Sequence, residues 1–255
     1  MGFYCAMRRR VIGLVFLSLA AACGAPPRQA APIEPQQMLD QAMRQFRTGK
    51  FSAARKALQQ LSFELAANDP MGAVARYYLA ECDFALNEMP EASRGFRRLA
   101  DDYPDHALAP DALLRAGDAL FAQWRRAELD PTPGEEALAE YRELVARYPE
   151  SRAAERVRLK LAALADRFAE KTYRTGVFYH RFGAYDSAII YFRSVVADYG
   201  ESRYVVDALI RLVEVYRTIG YGEERQETCG YLRQYHPTAD GLADACPADP
   251  GASSP

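Results

Sequence analysis

Three histidines and five cysteines, with a few adjacent acids, are the residues of this chain whose type could carry chemistry. His106, His180 and His236 stand too far apart to share a local motif. No HExxH, paired CxxC, phosphate-cradling glycine loop or GxSxG occurs. Glu135-Glu136 and Asp101-Asp102 fall in loops or at helix ends, where acids favour solvent or a helix N-terminal dipole. These patterns supply no nucleophile, base or metal-ligand set, so the chain reads as a non-enzyme without cofactor or metal. The cysteines hold what chemistry remains. Cys5 lies ahead of an apolar N-terminal run, and Cys82 sits in a helical pattern where a buried thiol is expected. Cys229 and Cys246 are candidates for a disulfide in an oxidising compartment, a bond whose geometry the sequence leaves open. Cys23, after Ala20-Ala21-Ala22, is placed for modification.

Arg8-Arg9-Arg10 precede an apolar core, residues 11–19, too short to span a bilayer, and Cys23-Gly24 follow the small residues. This resembles a bacterial lipobox, in which the cysteine becomes the acylated first residue. Ala20 stands where leucine is usual, with Leu19 one place further out. The other reading is ordinary signal cleavage after the alanines, which leaves Cys23 unacylated. The expected organisation is a signal over residues 1–22 and a lipidated cysteine with a flexible tether over 23–35. Residues 25–35 include four prolines, as an extended tether would. A repeat domain over 36–237 and a disordered tail over 238–255 follow, the tail being rich in Gly, Pro, Asp and Ser. No other stretch is long and apolar enough to cross a membrane, so the chain reads as anchored.

The elements that would position any site are helices. A chain of 255 residues with 49% apolar and 26% charged residues supports a sizeable core. Ala, Leu, Arg and Glu abound, and no long run alternates with period two. The formal charge of -2, without a basic stripe interleaved with aromatics, gives no reason to expect nucleic acid. Residues 168–199 read as two amphipathic helices with a turn at Phe182-Gly183-Ala184. Gly176 permits close approach, Tyr179 and Tyr185 fill the gap, and Ala188 marks the crossing. That is the pattern of a tetratricopeptide unit of about 34 residues.

The spacing recurs. Ala92 to Pro104, Ala137 to Pro149, Ala188 to Gly200 and Arg225 to Pro237 are each twelve residues apart. Phe96 and Leu99, Tyr141 and Leu144, Phe192 and Val195, Cys229 and Leu232 follow the crossing position by four and seven residues, on one buried face. A tyrosine precedes each stop: Tyr103, Tyr148, Tyr199 and, one place further back, Tyr235. The fold class is therefore all-α, a right-handed α-solenoid of about five tetratricopeptide-type helix pairs. The third pair carries an insertion of eight residues after Trp124. Residues 153–182 read as one long helix or two abutting ones. The fifth pair is degenerate, as a solenoid end with a polar outer face requires.

First helices line the inner groove of such solenoids. Spacing of three or four residues beside the core set selects Leu39, Met43 and Phe46, then Tyr77, Glu81 and Phe84. Leu114, Asp118 and Phe121 follow in the third unit, and Tyr173, Val177 and His180 in the fourth. The expected groove is aromatic at several levels and suited to an extended peptide. For any one of these residues, packing between helices is the competing reading.

Four segments resemble the BamD family, tetratricopeptide lipoproteins of the machinery that assembles β-barrel proteins into the bacterial outer membrane. They are Tyr103-Pro104-Asp105-His106 with Gly117, and Tyr148-Pro149-Glu150-Ser151. The most specific is Phe168-Ala169-Glu170-Lys171 with Phe178-Tyr179, Gly183-Ala184-Tyr185 and Ala188. The last is residues 212–217 with Gly220. Thr172 stands where the family usually has an acid, Phe182 where it has a basic residue, and Gly200 where it has proline. The resemblance implies a lipid-anchored, periplasm-facing scaffold at the outer membrane. Its C-terminal units would bind the barrel-forming subunit, and its N-terminal groove would receive aromatic-rich strands of unfolded outer-membrane proteins. The alternative is another periplasmic tetratricopeptide scaffold, one coordinating cell-wall synthesis with envelope constriction.

Overall fold

Helix is the only regular structure among the described residues, which are 34–66 and 69–247 of the computed structural model. The signal segment, Cys23 and most of the tether lie outside them, as do residues 248–255. The pairs are α1 (Pro35–Arg47) with α2 (Phe51–Glu64), α3 (Pro70–Ala85) with α4 (Met89–Asp102), and α5 (Ala109–Gln123) with α6 (Thr132–Arg147). α7 (Arg152–Arg181) then pairs with α8 (Tyr185–Asp198), and α9 (Val205–Ile219) with α10 (Gly222–Tyr235). A short α11 (Leu242–Ala245) follows. The stretch read as one helix or two is a single helix of 30 residues.

Local signals set the ends. Proline stands in the first turn of α1, α3, α4, α5 and α6, where its missing N–H costs nothing. Asp69 and Ser151 cap α3 and α7 through their side chains. Four of the five pairs turn through a left-handed residue just after the first helix: Gly49, Asn87, Gly183 and Gly220 at φ 74, 62, 82 and 81°. In the third pair the insertion replaces that turn. The second helices close alike, with Tyr103, Tyr148, Tyr199 and His236 at φ -132, -133, -132 and -134°. In the fifth unit the closing residue is therefore His236, and Tyr235 is the last helical residue before it.

Packing follows the twelve-residue pattern. Ala92, Ala137 and Ala188 are fully buried, as are the residues four and seven places beyond each of them. In the third and fourth units the ring at the first of those positions lies where a glycine in the first helix makes room. In the second unit Ala80 takes that place. A Cβ on Gly117 would sit 2.3 Å from Tyr141, and one on Gly176 2.7 Å from Phe192.

α7 organises the chain by its length. Its first half, with Val157 and Leu164, packs into the core of the second and third units. Its second half, from Ala169, belongs to the core shared with α8, α9 and α10. The inserted loop is fastened along the junction by one face of α7. Arg167 donates to the carbonyls of Trp124 and Arg125, each at 3.2 Å. Lys171 donates to the Leu129 carbonyl at 2.9 Å, and Arg174 meets Glu128 at 2.5 Å. Trp124 is buried against Phe168, with ring centroids 4.8 Å apart. The insertion is thus a packed brace as well as a surface loop.

Two expected boundaries move. Pro35 opens α1 and so belongs to the repeat domain. Residues 238–247, expected to be disordered, turn through Gly241 into α11 and are bonded to α10 through Cys229–Cys246. Composition reads the tail as unable to bury enough apolar surface, and it misses a cross-link that holds the segment without one.

Candidate functional site

First helices of three successive units, α3, α5 and α7, line an open cavity of about 410 Å³. Its walls include Phe84 from α3, Arg115, Asp118 and Phe121 from α5, and Lys160 and Arg167 from α7. An ionic ladder crosses its floor. Arg115 binds Glu81 through both carboxylate oxygens, at 2.6 and 2.7 Å, and lies 3.4 Å from Asp118. Asp118 also accepts from the Tyr141 hydroxyl at 2.8 Å and meets Lys160 at 2.9 Å. The Arg115 guanidinium covers the Phe84 ring at 3.9 Å, a cation–π contact.

The acids are largely withdrawn from water, with the Asp118 and Glu81 side chains 12% and 17% exposed, while Lys160 stays open to solvent. Burial works against the Arg115 charge, the Glu81 carboxylate outweighs it, and the guanidinium pKa is raised. Burial, and then the Asp118 charge, pushes the Tyr141 phenol up, so it stays protonated and keeps donating. The site is a rigid polar floor with two aromatic rings at its edge. It can hold a chain segment by hydrogen bonds and apolar contact, and no nucleophile or base emerges from it.

Of the residues selected by spacing, Phe84, Asp118 and Phe121 converge on this cavity, and Glu81 reaches it through Arg115. The others lie away from it. Leu39 and Leu114 are buried in the core, and Met43 packs beside α2 and α3. Phe46 meets Phe51 and Tyr78 edge-on at 5.4 and 5.2 Å. Tyr77 does the same with Tyr78 and Phe96, and burial pushes its phenol up. Tyr173 lies against Phe192 and Tyr204, Val177 packs in the C-terminal core, and His180 stands beside Tyr185. Spacing alone did not select Arg115, Lys160 or Arg167. Single basic residues at helical spacing read in isolation as a solvated face, so nothing in the sequence distinguished them.

A second surface lies at the far end of α7. Phe178 and Phe182 stack in parallel, centroids 6.1 Å apart, while 61% and 78% exposed. Tyr179 stacks on Tyr191 of α8 at 5.3 Å. A cavity of about 360 Å³ runs from Phe178 and Tyr179 to Lys171, Arg174 and Glu128. The basic face of α7 that fastens the loop thus continues as an uncovered aromatic strip.

The family model YfiO, described as outer membrane lipoprotein, matches residues 32–230. A protein of Caulobacter vibrioides named outer membrane protein assembly factor BamD is 31% identical over 159 residues, 62% of this chain. The match covers 52% of that protein, so the chain spans about half of its length. A Vibrio cholerae protein of the same name is 25% identical over 229 residues, 85% of this chain and 93% of that one. A solved tetratricopeptide-repeat protein of Thermus thermophilus aligns over 83% of this chain and 98% of its own. Its identity is 20% and its TM-score 0.38, a likeness too loose to add to the fold described above.

Proposed function

The chain belongs to the YfiO family of outer membrane lipoproteins, and on that premise we propose that it is a lipid-anchored scaffold of outer-membrane protein assembly. It faces the periplasm, holds aromatic-rich segments of unfolded barrel proteins in the cavity between α3, α5 and α7, and passes them to a barrel-forming subunit docked on its C-terminal units. The observation that carries this reading is the cavity itself. It is built from first helices of three units, floored by a fixed ionic ladder and edged by Phe84 and Phe121. A fixed floor lowers the entropy lost when an extended segment binds. The exposed Phe178–Phe182 strip supports a second, separate docking face on the fourth unit.

Phe84→Ala combined with Phe121→Ala tests the cavity. Both rings are half-buried at its edge, so binding of a C-terminal barrel peptide falls about tenfold or more while helicity holds. Fluorescence anisotropy with a labelled peptide reads the first quantity and circular dichroism the second. Unchanged peptide affinity overturns the cavity as the binding place. Tyr77 is unsuitable for this purpose, because its ring holds α3 to α4 through Phe96.

Cys23→Ser tests the anchor. One acylated cysteine supplies membrane attachment in this reading. The variant is therefore expected in the soluble periplasmic fraction, and recovery with membranes at wild-type levels excludes the lipid as the anchor.

A further inference from the structure

At the core position four residues past the helix crossing, α4, α6 and α8 carry Phe96, Tyr141 and Phe192, all fully buried. α10 has Cys229 there. At the place in α9 that corresponds to Gly176 of α7 stands Val213, also buried. A larger residue in the first helix accompanies a smaller one in the second, so volume is roughly conserved. The exchange leaves a thiol where α4, α6 and α8 have a ring.

That sulfur is bonded to Cys246, with Cα atoms 5.6 Å apart and both residues buried. The bond lays the segment after His236 over the end of the solenoid. Leu242 and Ala245 pack against the C-terminal core, and Arg233 donates to the carbonyls of Cys246 and Pro247 at 3.0 and 3.1 Å. In a regular solenoid the first helix of the next unit covers that face. α11 has four residues and no side-chain cap, too little to persist as a helix by itself. The covalent bond therefore carries most of the closure.

We infer that the C-terminal end of the solenoid is a clasp closed by thiol oxidation after the helices have folded, and that the chain is a substrate of a disulfide-donating thiol oxidoreductase. The Cys246 thiolate, on the segment that is free until the bond forms, attacks the donor disulfide. A mixed disulfide results and one donor thiolate leaves. The Cys229 thiolate then attacks the Cys246 sulfur, forming the clasp and releasing the donor's second thiolate. The donor gains two electrons, and the protons lost by the two cysteines end on its thiols. Cys82 takes no part, being fully buried in α3 with its thiol pushed up to about 12 by burial.

The inference rests on the proposed periplasmic placement only for where the donor acts. The test uses full-length chain from a host with an active periplasmic disulfide oxidase and from one lacking it. After acid quenching and denaturation, free thiols are counted with maleimide-polyethylene glycol, and the folded chain is separately treated with protease. Cys229 and Cys246 are expected to be blocked in the first host and labelled in the second. Residues 238–247 are expected to be cut about tenfold or more faster in the second sample and in Cys246→Ser. Helices α1 to α8 should stay equally protected in all samples, which separates loss of the clasp from unfolding. Equal labelling in both hosts overturns the role of the oxidoreductase. Equal protection of 238–247 with the thiols free overturns the clasp, whatever the peptide and fractionation tests return.

Discussion

Phe192→Ala will destabilise the fourth unit by about 3–5 kcal/mol, the cost of removing a fully buried ring from a site that cannot collapse. The ring seats on Gly176, against which a Cβ would clash, and beside Tyr173 at 5.7 Å. Gly176, directly opposite, has no side chain to fill the vacated space. The loss should appear as faster amide exchange across α7 and α8, because neighbouring units of a solenoid open semi-independently. Phe178→Ala, two residues from Gly176 but 61% exposed, provides the contrast and should change stability by no more than about 0.5 kcal/mol. Equal effects from the two would mean that the crossing geometry is not what holds the unit together.

Arg115→Ala will cost about 2–4 kcal/mol, because it strands Glu81 and takes one cation from Asp118, both acids being mostly out of water. Glu81 loses both of its charge-assisted hydrogen bonds. Asp118 keeps Tyr141 and Lys160 but loses its nearest guanidinium, and the Phe84 ring loses its cover. The Arg115 side chain is 24% exposed, so solvent screens part of the loss, and the figure sits below that for a fully buried pair. Arg115→Lys should recover only part of it, since an ammonium cannot present the fork that grips both Glu81 oxygens. Denaturant titration of Arg115→Ala, Glu81→Gln and the double variant measures the coupling. If the single changes simply add, the ladder is not a unit.

Much of the architecture was legible because a helix pair repeats its crossing and core positions at fixed spacing. Ala92, Ala137 and Ala188, with the residues four and seven beyond them, could be found without knowing any contact. Gly176 was legible for the same reason: a glycine inside a long helical pattern requires something close against it. The candidate site was only partly legible. A spacing of three or four residues selects an arc of helix surface wide enough to include both the groove and the seam with the next helix. Tyr77, Tyr173 and Phe46 fell on the seam, whereas Phe84 and Phe121 fell on the groove. The ionic ladder joins α3, α5 and α7 across long stretches of sequence, and no local pattern announces that Arg115 will meet Glu81 or that Lys160 will meet Asp118. The tail failed on a related point. A composition rich in Gly, Pro and Asp predicts disorder, whereas the Cys229–Cys246 bond, a candidate from the cysteine positions, orders residues 238–247.

The role proposed for this scaffold is outer-membrane protein assembly. The most direct measurement is depletion of the chain in its native cells, with quantitative proteomics of the outer membrane and affinity purification of the remaining tagged chain from native membranes. A scaffold of this kind predicts a broad loss of β-barrel proteins from the outer membrane and co-purification with a large barrel-forming subunit. A normal outer-membrane composition after depletion, with the chain recovered alone or with septal cell-wall enzymes, would contradict it.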